Sequence, residues 1–295
     1  MGKIRIPAHF FVFTAMLFWG MSFIWSTKLM KFYEPVTIIF IRLIISSVFL
    51  FTILYAAGKK EKIESRDYKL VFLSALFNPF LYFLGENFGL KFSTPTISAV
   101  IIAMIPVFSP LIGYLSFREK LMPINFAGIA ISFGGVIVML LTRDFSLAAD
   151  IRGILFLSGA VVAALLYAVT LRKLTLKYSP ITLIANQNLL GIFLFLPLFL
   201  IFELNSVIKV HITGEIIRSM LFLAILASSI SFVFYAYAVK QLGISKTNIF
   251  SNLIPVFTAI FSYFLLSESF SLQKIAGMML VIGGVYLSER TKKQV

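Results

Sequence analysis

Long apolar runs alternate with short polar gaps along the whole chain. A helix that crosses a bilayer needs about 20 mostly apolar residues. Reading the sequence at that length predicts helices at roughly 9–27, 36–57, 68–90, 94–117, 123–141, 153–172, 180–202, 216–240, 244–266 and 272–288. The gaps carry charges or turn formers, and none is long enough for a soluble domain. The pattern predicts an all-α membrane protein with ten transmembrane helices.

The composition agrees with lipid as the solvent of this chain. Of its 295 residues, 60% are hydrophobic and 13% are charged, whereas soluble domains are about half apolar and about a quarter charged. The net charge of +14 lies in the gaps between apolar runs, so we expect a lipid bilayer as partner and no nucleic acid. With no cysteine and only His9 and His211, we expect no disulfide, metal site or cofactor.

The distribution of lysine and arginine predicts the orientation. If the N-terminus is cytoplasmic, 17 basic residues fall on the cytoplasmic side and 8 on the other, which favours both termini inside. The first apolar run follows Lys3 and Arg5 but lacks a small-residue cleavage site, so we interpret it as an uncleaved helix. We expect a multi-pass protein of the cytoplasmic (inner) membrane.

An internal repeat organises the chain into two halves. Matching residues recur 149 positions apart: Pro106, Val107 and Phe108 with Pro255, Val256 and Phe257; Glu119 with Glu268; Ala127 and Gly128 with Ala276 and Gly277; Gly134 and Gly135 with Gly283 and Gly284. Nearer the start, Pro35 pairs with Pro180 at a spacing of 145. The predicted halves are 1–145 and 146–295, with five helices each. Because five is odd, the second half enters the membrane from the opposite side, which is the inverted repeat common in secondary transporters.

Two charges fall inside predicted helices at similar depth. Arg42 lies in helix 2 and Glu86 in helix 3, and either charge alone costs about 2.5–3.5 kcal/mol on membrane-insertion scales. We predict an Arg42–Glu86 ion pair that faces the bundle interior. Its role stays open: a structural pair, an arginine that snorkels outward, or a Glu86 carboxylate that couples protons or binds substrate.

Further polar residues are candidates for the lining of a cavity. Asn248 and Asn252 share a helical face by their spacing of four, as do Tyr82 and Glu86. The substrate-binding candidates are Trp19, Tyr82, Glu86, Tyr167, Tyr235, Asn248 and Asn252.

Prolines and glycines mark further special positions. Pro106 and Pro255 are repeat-equivalent and lie within helices 4 and 9, where we expect either hinges or static bends. Gly128 and Gly277 belong to small-residue faces of helices 5 and 10, which predict close packing within each half or a dimer contact. The chain is thus a monomer or a homodimer.

These residues together resemble a known family. The stretch from Pro106 through Arg118, Glu119, Lys120 and Leu121 to Gly134 and Gly135, with its copy from Pro255 through Glu268 to Gly283 and Gly284, resembles the EamA repeat of the drug/metabolite transporter superfamily. Trp19 with Gly20, and Pro35 with Arg42, are similar to that family too. The resemblance implies ten helices, a cavity lined by helices 1, 3, 4, 6, 8 and 9, and structural roles for Glu119 and Glu268. Its members commonly export amino acids and related metabolites.

We predict a secondary transporter that exports small metabolites, namely amino acids or related solutes, across the cytoplasmic membrane by alternating access, and not an enzyme. This sequence departs from the family pattern at Glu86 and at Gln187, which is the repeat equivalent of Arg42. A polytopic membrane enzyme and a channel are the alternatives, although no H-E-x-x-H, G-x-S-x-G or phosphate-cradling motif is present. A third alternative is that the repeat is a duplication without a transport function, retained because duplicated bundles fold well.

Overall fold

The structure, a computed structural model, describes residues 7–58, 61–117, 122–140, 149–208, 210–269 and 271–288. Within these ranges the chain is helical, with short connections and no strand. The segments are α1, Ala8–Leu29; α2, Pro35–Ala56; α3, Tyr68–Ala75, Leu76–Leu81 and Tyr82–Lys91; α4, Pro95–Ile102 and Met104–Phe117; α5, Pro123–Leu140; α6, Ile151–Thr175; α7, Pro180–Val207; α8, Gly214–Leu242; α9, Ile244–Asn248, Ile249–Asn252 and Leu253–Leu266; α10, Leu272–Ser288.

Seven segments in the described part of the chain are long and apolar enough to cross a membrane: α1, α2, α3, α5, α6, α7 and α8. The remaining apolar helices, Pro95–Ser109, Phe250–Leu266 and Leu272–Leu287, are shorter. The all-helical membrane class is therefore confirmed, whereas the count of ten spans stays a prediction. Proline at the first helical position begins α2, α4, α5 and α7, where its missing N–H costs no hydrogen bond.

α3 and α8 each depart from a regular α-helix at the same repeat position. In α3 this is a kink within Leu76–Leu81, where the backbone of Asn78 is extended (φ −149°, ψ 119°), and in α8 it is the π turn Phe222–Ile230. The spacing of 149 residues extends to these helices, since it pairs Lys69 with Arg218, Ala75 with Ala224, Phe83 with Phe232 and Lys91 with Lys240. Single π turns inside α-helices frequently occur at functional sites.

α4 and α9 are interrupted just before their matching prolines. Pro106 lies in the first turn of Met104–Phe117, after a break at Ala103. Pro255 lies in the first turn of Leu253–Leu266, after the 3₁₀ turn Ile249–Asn252. In a first turn proline loses no intrahelical bond, so each proline starts a helical segment and is not in the middle of one.

The glycine faces of α5 and α10 pack against each other. A Cβ added at Gly135 would meet the Gly277 carbonyl at 2.7 Å, and one at Gly284 would meet the Gly128 carbonyl at 2.6 Å. The Ser132 hydroxyl donates to the Val281 carbonyl across the same contact at 3.2 Å. The prediction of packing within each half or a dimer contact was wrong, because these faces join the two halves of one chain.

Glu268 and Glu119 were expected to be structural. The Glu268 carboxylate accepts a hydrogen bond from the Thr96 hydroxyl at 2.8 Å and lies 3.3 Å from the Lys274 ammonium. These bonds tie the end of α9 to the starts of α4 and α10. Glu119 lies outside the described residues.

Contacts between loops join the two halves at one end of the bundle. The Asp67 carboxylate accepts hydrogen bonds from the Lys177 ammonium at 2.9 Å and the Tyr178 hydroxyl at 2.7 Å. Beside them, the Glu61 carboxylate accepts from the Ser179 backbone N–H at 2.7 Å, at the start of α7. The connection before α3 is thus bonded to the connection between α6 and α7.

At the opposite end, a second carboxylate joins the halves. Glu203 accepts hydrogen bonds from the backbone N–H groups of Val36 and Thr37, at 3.2 and 2.6 Å. It therefore satisfies free donors at the N-terminus of α2. Lys28 and Glu215 form an ion pair at 3.7 Å nearby.

Candidate functional site

A cavity lies between α1, α2, α3, α4, α6, α8 and α9. The volume of the cavity, taken as the space open to the centre of a water molecule, is about 60 Å³. Its polar lining residues are Trp19, Ser22, Arg42, Asn78, Tyr82, Glu86, Tyr167, Tyr235, Asn248 and Ser251. Six of the seven predicted substrate-binding residues are in this lining; the exception is Asn252.

Glu86 is held by the tyrosine one turn before it. The Tyr82 hydroxyl donates a hydrogen bond of 2.8 Å to Oε1 of Glu86. Both side chains lie just after the kink of α3, and the spacing of four places them on one helical face. Glu86 is 8% exposed, so its carboxylate is a buried charge on the cavity wall.

Arg42 faces the same cavity but is held differently. Its guanidinium carbon lies 3.6 Å from the centre of the Phe83 ring, in a cation–π contact. The side chain is 2% exposed, and its Nε has no hydrogen-bond partner within the described structure. Glu86 is thus held by a hydrogen bond from a hydroxyl, whereas Arg42 is held by the face of an aromatic ring.

The predicted Arg42–Glu86 ion pair is not formed. Among the ion pairs between described residues none joins the two. The physical reason is that Phe83 takes the guanidinium and Tyr82 takes the carboxylate. The cavity therefore presents a cation and an anion that are separate, and the prediction that both face the interior agrees with the structure.

Two further tyrosines anchor amides on the cavity wall. The Tyr235 hydroxyl donates to Oδ1 of Asn248 at 2.8 Å, and the Asn248 amide donates to the Ser109 hydroxyl at 2.7 Å. The Tyr167 hydroxyl donates to Oε1 of Gln187 at 3.2 Å. These bonds fix the side chains, and they link α8 to α9 and α6 to α7.

Aromatic rings form the wall next to α8. Trp19 packs edge-on against Phe232 with ring centres 4.9 Å apart, and its ring centre is 5.2 Å from that of Tyr235. The Trp19 indole donates to the Ala227 carbonyl at 3.2 Å, within the π turn of α8. The site thus combines an aromatic wall with two opposite charges.

Asn252 does not line the cavity, although its spacing from Asn248 predicted a shared face. Residues Ile249–Asn252 form a 3₁₀ turn, in which three residues make one turn. Asn248, Ser251 and Ile254, at spacings of three, therefore share the cavity face. In the 3₁₀ turn each hydrogen bond spans three residues, and in an α-helix it spans four. This is why Ser251, and not Asn252, faces the cavity.

The repeat spacing relates most of the lining residues to one another. Of the 17 lining residues, 14 form seven pairs: Trp19 with Ala164 and Ser22 with Tyr167 at a spacing of 145; Asn78 with Ala227, Phe83 with Phe232, Glu86 with Tyr235, Ile102 with Ser251 and Ile105 with Ile254 at 149. The residues that sequence reasoning missed, such as Ser22, Phe232 and Ser251, are mostly partners in these pairs. Applying the repeat spacing to the predicted residues would have found two of them, Ser22 from Tyr167 and Ala164 from Trp19.

The described residues contain no group of three or more His, Asp or Glu that could hold a metal ion. The site presents hydrogen-bonding groups, two separate opposite charges and aromatic surfaces. Such a lining can bind and orient a small molecule.

Comparison with known proteins identifies the family. The model of the EamA-like transporter family matches residues 6–141 and again residues 151–290. The chain belongs to the EamA-like transporter family. The two matched ranges contain every residue of the EamA-like site described above, so the cavity lies within the part of the chain that defines the family.

Relatives share the full length of this EamA-like chain. An uncharacterized transporter of Archaeoglobus fulgidus is 28% identical over 278 residues, which cover 93% of this chain and 96% of the relative. Another uncharacterized transporter, from Methanothermobacter thermautotrophicus, is 27% identical over 298 residues, which cover 95% of this chain and 85% of the relative. A solved crystal structure superposes with a TM-score of 0.73 at 18% identity, over 96% of this chain and 98% of the other. That structure shows the same fold. The chain is a multi-pass membrane transporter of this family.

Proposed function

We propose that this protein is a secondary transporter that exports small zwitterionic metabolites, amino acids in the first place, across the cytoplasmic membrane by alternating access. The observation that carries the proposal is that a cation and an anion without an ion-pair contact between them line one cavity. Glu86 can bind an ammonium group, and Arg42 can bind a carboxylate. A zwitterion brings both groups on one small molecule.

The repeat supports an alternating mechanism. We propose residues 1–145 and 146–295 as two halves of opposite orientation, with ten spanning helices and both termini cytoplasmic. In support, contacts recur when the halves are exchanged: Ser46, Asn188 and Ser228 meet on one side, and their repeat equivalents Gly191, Leu43 and Pro79 meet on the other. Two halves related in this way can exchange conformations, so that the cavity opens first to one side and then to the other.

The interrupted helices supply places where such a change can occur. The breaks before Pro106 and Pro255, the kink of α3 and the π turn of α8 all flank the cavity. Hinges are residues at the ends of elements that absorb large backbone changes. We propose these four points as the hinges.

Counterflow tests the function. The purified protein is reconstituted in liposomes preloaded with an unlabelled mixture of the twenty amino acids, and each labelled amino acid is added outside at trace level. A carrier accumulates label above equilibrium in a saturable manner, and we expect this for at least one amino acid. Label that equilibrates without accumulation would indicate a channel, and covalent conversion would indicate an enzyme.

The matched variants are Glu86→Gln and Glu34→Gln. Glu86 lies in the cavity, whereas Glu34 is an exposed partner of Lys91 at the end of the bundle. We expect counterflow to fall in the first variant and to persist in the second. Equal activity of both would remove Glu86 from the proposed site.

A further inference from the structure

A groove on the outer surface of the bundle runs between α3 and α6, behind the cavity wall. Its volume is about 460 Å³. Apart from Arg152 at one end, its lining is apolar or glycine: Leu81, Leu84, Gly85, Leu155, Phe156, Gly159, Val162, Ala163 and Leu166. Leu155 is 65% exposed and Val162 is 57% exposed, so in a membrane these side chains face lipid.

Glycine makes the groove deep. A Cβ at Gly159 would meet no atom within 4 Å, so the groove is open above this residue. At Gly85 a Cβ would come within 2.6 Å of the Phe156 carbonyl, so the two helices approach closely there. The groove is therefore a shaped depression with a floor formed by the α3–α6 contact.

The groove has the length of a lipid chain within one leaflet. From Arg152 to Leu166 the lining covers 14 residue steps of α6, which at about 1.5 Å per residue is about 21 Å. Half of the hydrocarbon core of a bilayer is about 15 Å thick. An acyl chain that starts near Arg152 thus fits along the groove.

Arg152 provides a cation at the end of the groove. Its Nε and Nη2 donate to the Asp150 carboxylate, with Nη2 at 2.7 Å, and its guanidinium carbon lies 4.3 Å from the centre of the Phe92 ring. These contacts hold the guanidinium at the start of α6 while its side chain remains 63% exposed. The bonds to Asp150 use Nε and Nη2, so Nη1 is the group of this guanidinium that we assign to a phosphate oxygen.

The equivalent place in the other half of the chain is built from different residues. The repeat equivalents of Phe156 and Gly85 are Phe11 and Phe234, whose ring centres are 4.8 Å apart. Thr14 stands in the place of Gly159, and Pro7 in the place of Arg152. The glycines that shape the depression and the cation at its end therefore belong to α3 and α6 and are not repeated in the other half.

We propose that this groove binds one phospholipid, with an acyl chain along α6 and the phosphate against Arg152. The bound chain would pack against Leu84 and Leu166, which adjoin the cavity residues Glu86 and Tyr167. The lipid therefore supports the wall of the cavity from behind. This inference does not depend on the identity of the transported substrate.

Lipid titration of the detergent-solubilised full chain tests the proposal, with thermal unfolding and native mass spectrometry as readouts. The probes are phosphatidylglycerol, diacylglycerol (the chains without phosphate) and glycerol phosphate (the phosphate without chains). We expect phosphatidylglycerol to raise the melting temperature saturably with one lipid retained, since a ligand of the folded state stabilises it by mass action. Half-saturation with diacylglycerol should need at least tenfold more lipid, and glycerol phosphate should have no effect.

Two leucine substitutions provide the matched comparison. Gly159→Leu fills the groove, whereas Gly283→Leu adds the same side chain in α10 at another glycine with no atom within 4 Å of its Cβ. We expect Gly159→Leu to keep the lipid-free melting temperature and lose the retained phosphatidylglycerol, and Gly283→Leu to keep both. In Arg152→Gln the affinity for phosphatidylglycerol should fall to that for diacylglycerol. Equal retention in wild type and Gly159→Leu, or equal affinity of wild type for the two lipids, would overturn the proposal.

Discussion

The hydroxyl of Tyr82 donates a hydrogen bond of 2.8 Å to the carboxylate of Glu86, one helical turn further along α3. Arg42 lines the same cavity with its guanidinium over Phe83. Two opposite charges therefore line one cavity without a direct ion-pair contact between them. A ligand that carries both an ammonium and a carboxylate group can bind between them.

Replacing Tyr82 should weaken transport less than replacing Glu86. Tyr82→Phe removes one hydrogen bond to a charged group, worth about 1.5–3 kcal/mol, but leaves the carboxylate in place. We therefore expect counterflow that persists with a raised half-saturation concentration, whereas Glu86→Gln should abolish it. The half-saturation concentration and the maximal rate are measured in the same liposomes. A Tyr82→Phe protein as inactive as Glu86→Gln would mean that the hydroxyl itself contacts the substrate.

Arg42 and Phe83 should be energetically coupled. A cation–π contact contributes about 0.5–2 kcal/mol, depending on its desolvation, and lysine does not reproduce the planar guanidinium. We expect Arg42→Lys and Phe83→Leu each to reduce substrate affinity, and the double variant to lose less than the sum of the two. A double-mutant cycle on half-saturation concentrations measures this coupling. Strict additivity would contradict a functional role for the stacked pair.

Adjacent glycines in α5 should respond in opposite ways to alanine. At Gly135 the new Cβ would meet backbone atoms of α10, whereas at Gly134 it meets nothing within 4 Å. We expect Gly135→Ala to lose about 1–3 kcal/mol from overpacking, and Gly134→Ala to be neutral or to gain up to about 1 kcal/mol from helix propensity. Thermal unfolding in detergent measures both. A Gly135→Ala protein as stable as the Gly134→Ala protein would mean that α5 and α10 do not pack closely.

The loop cluster around Asp67 should make stability depend on acidic pH. The hydrogen bond from Lys177, followed by that from Tyr178, holds the pKa of the Asp67 carboxyl below its ordinary value of 3.8. A depressed pKa stabilises the folded state above the unfolded-state pKa, and this contribution is lost as pH falls through the folded-state value. The melting temperature of wild type should therefore exceed that of Asp67→Asn at pH 7.

This difference should shrink below about pH 4, near the pKa of an unfolded aspartate. Lys177→Met should reduce the pH 7 difference, since it removes the first-named cause of the shift. A constant difference between pH 7 and pH 3 would show that the Asp67 carboxylate is not bonded as described.

Apolar run length was enough to predict the helical segments, and the polar residues inside the runs predicted most of the polar lining of the cavity. Runs of about 20 residues locate helices because the bilayer sets their length, and α1, α2 and α6 lie within a few residues of the predicted bounds. Because Arg42 and Glu86 are charges inside predicted helices, the sequence was enough to predict that both face the interior of the bundle. These features depend on patterns that are visible along one chain.

Local details of the site depend on contacts in space that the sequence pattern does not reveal. An aromatic partner for Arg42 competes with the carboxylate, and nothing in the spacing of Arg42 and Glu86 reveals that Phe83 lies closer. The 3₁₀ turn before Leu253 replaces Asn252 by Ser251 on the cavity face, because its residues per turn differ from those of an α-helix. The contact of α5 with α10 joins helices that are far apart in sequence.

Spin-label distances at both ends of the bundle test alternating access most directly. The chain has no cysteine, so each label attaches only at an introduced site. One pair replaces Glu64 and Leu176, at the end where Asp67 meets Lys177; the other replaces Lys28 and Glu215, at the end where Glu203 caps α2. Distances are measured in liposomes with and without the amino acid that drives counterflow. Alternating access predicts that one distance lengthens while the other shortens, and two distances that lengthen together, or that both remain unchanged, would contradict it.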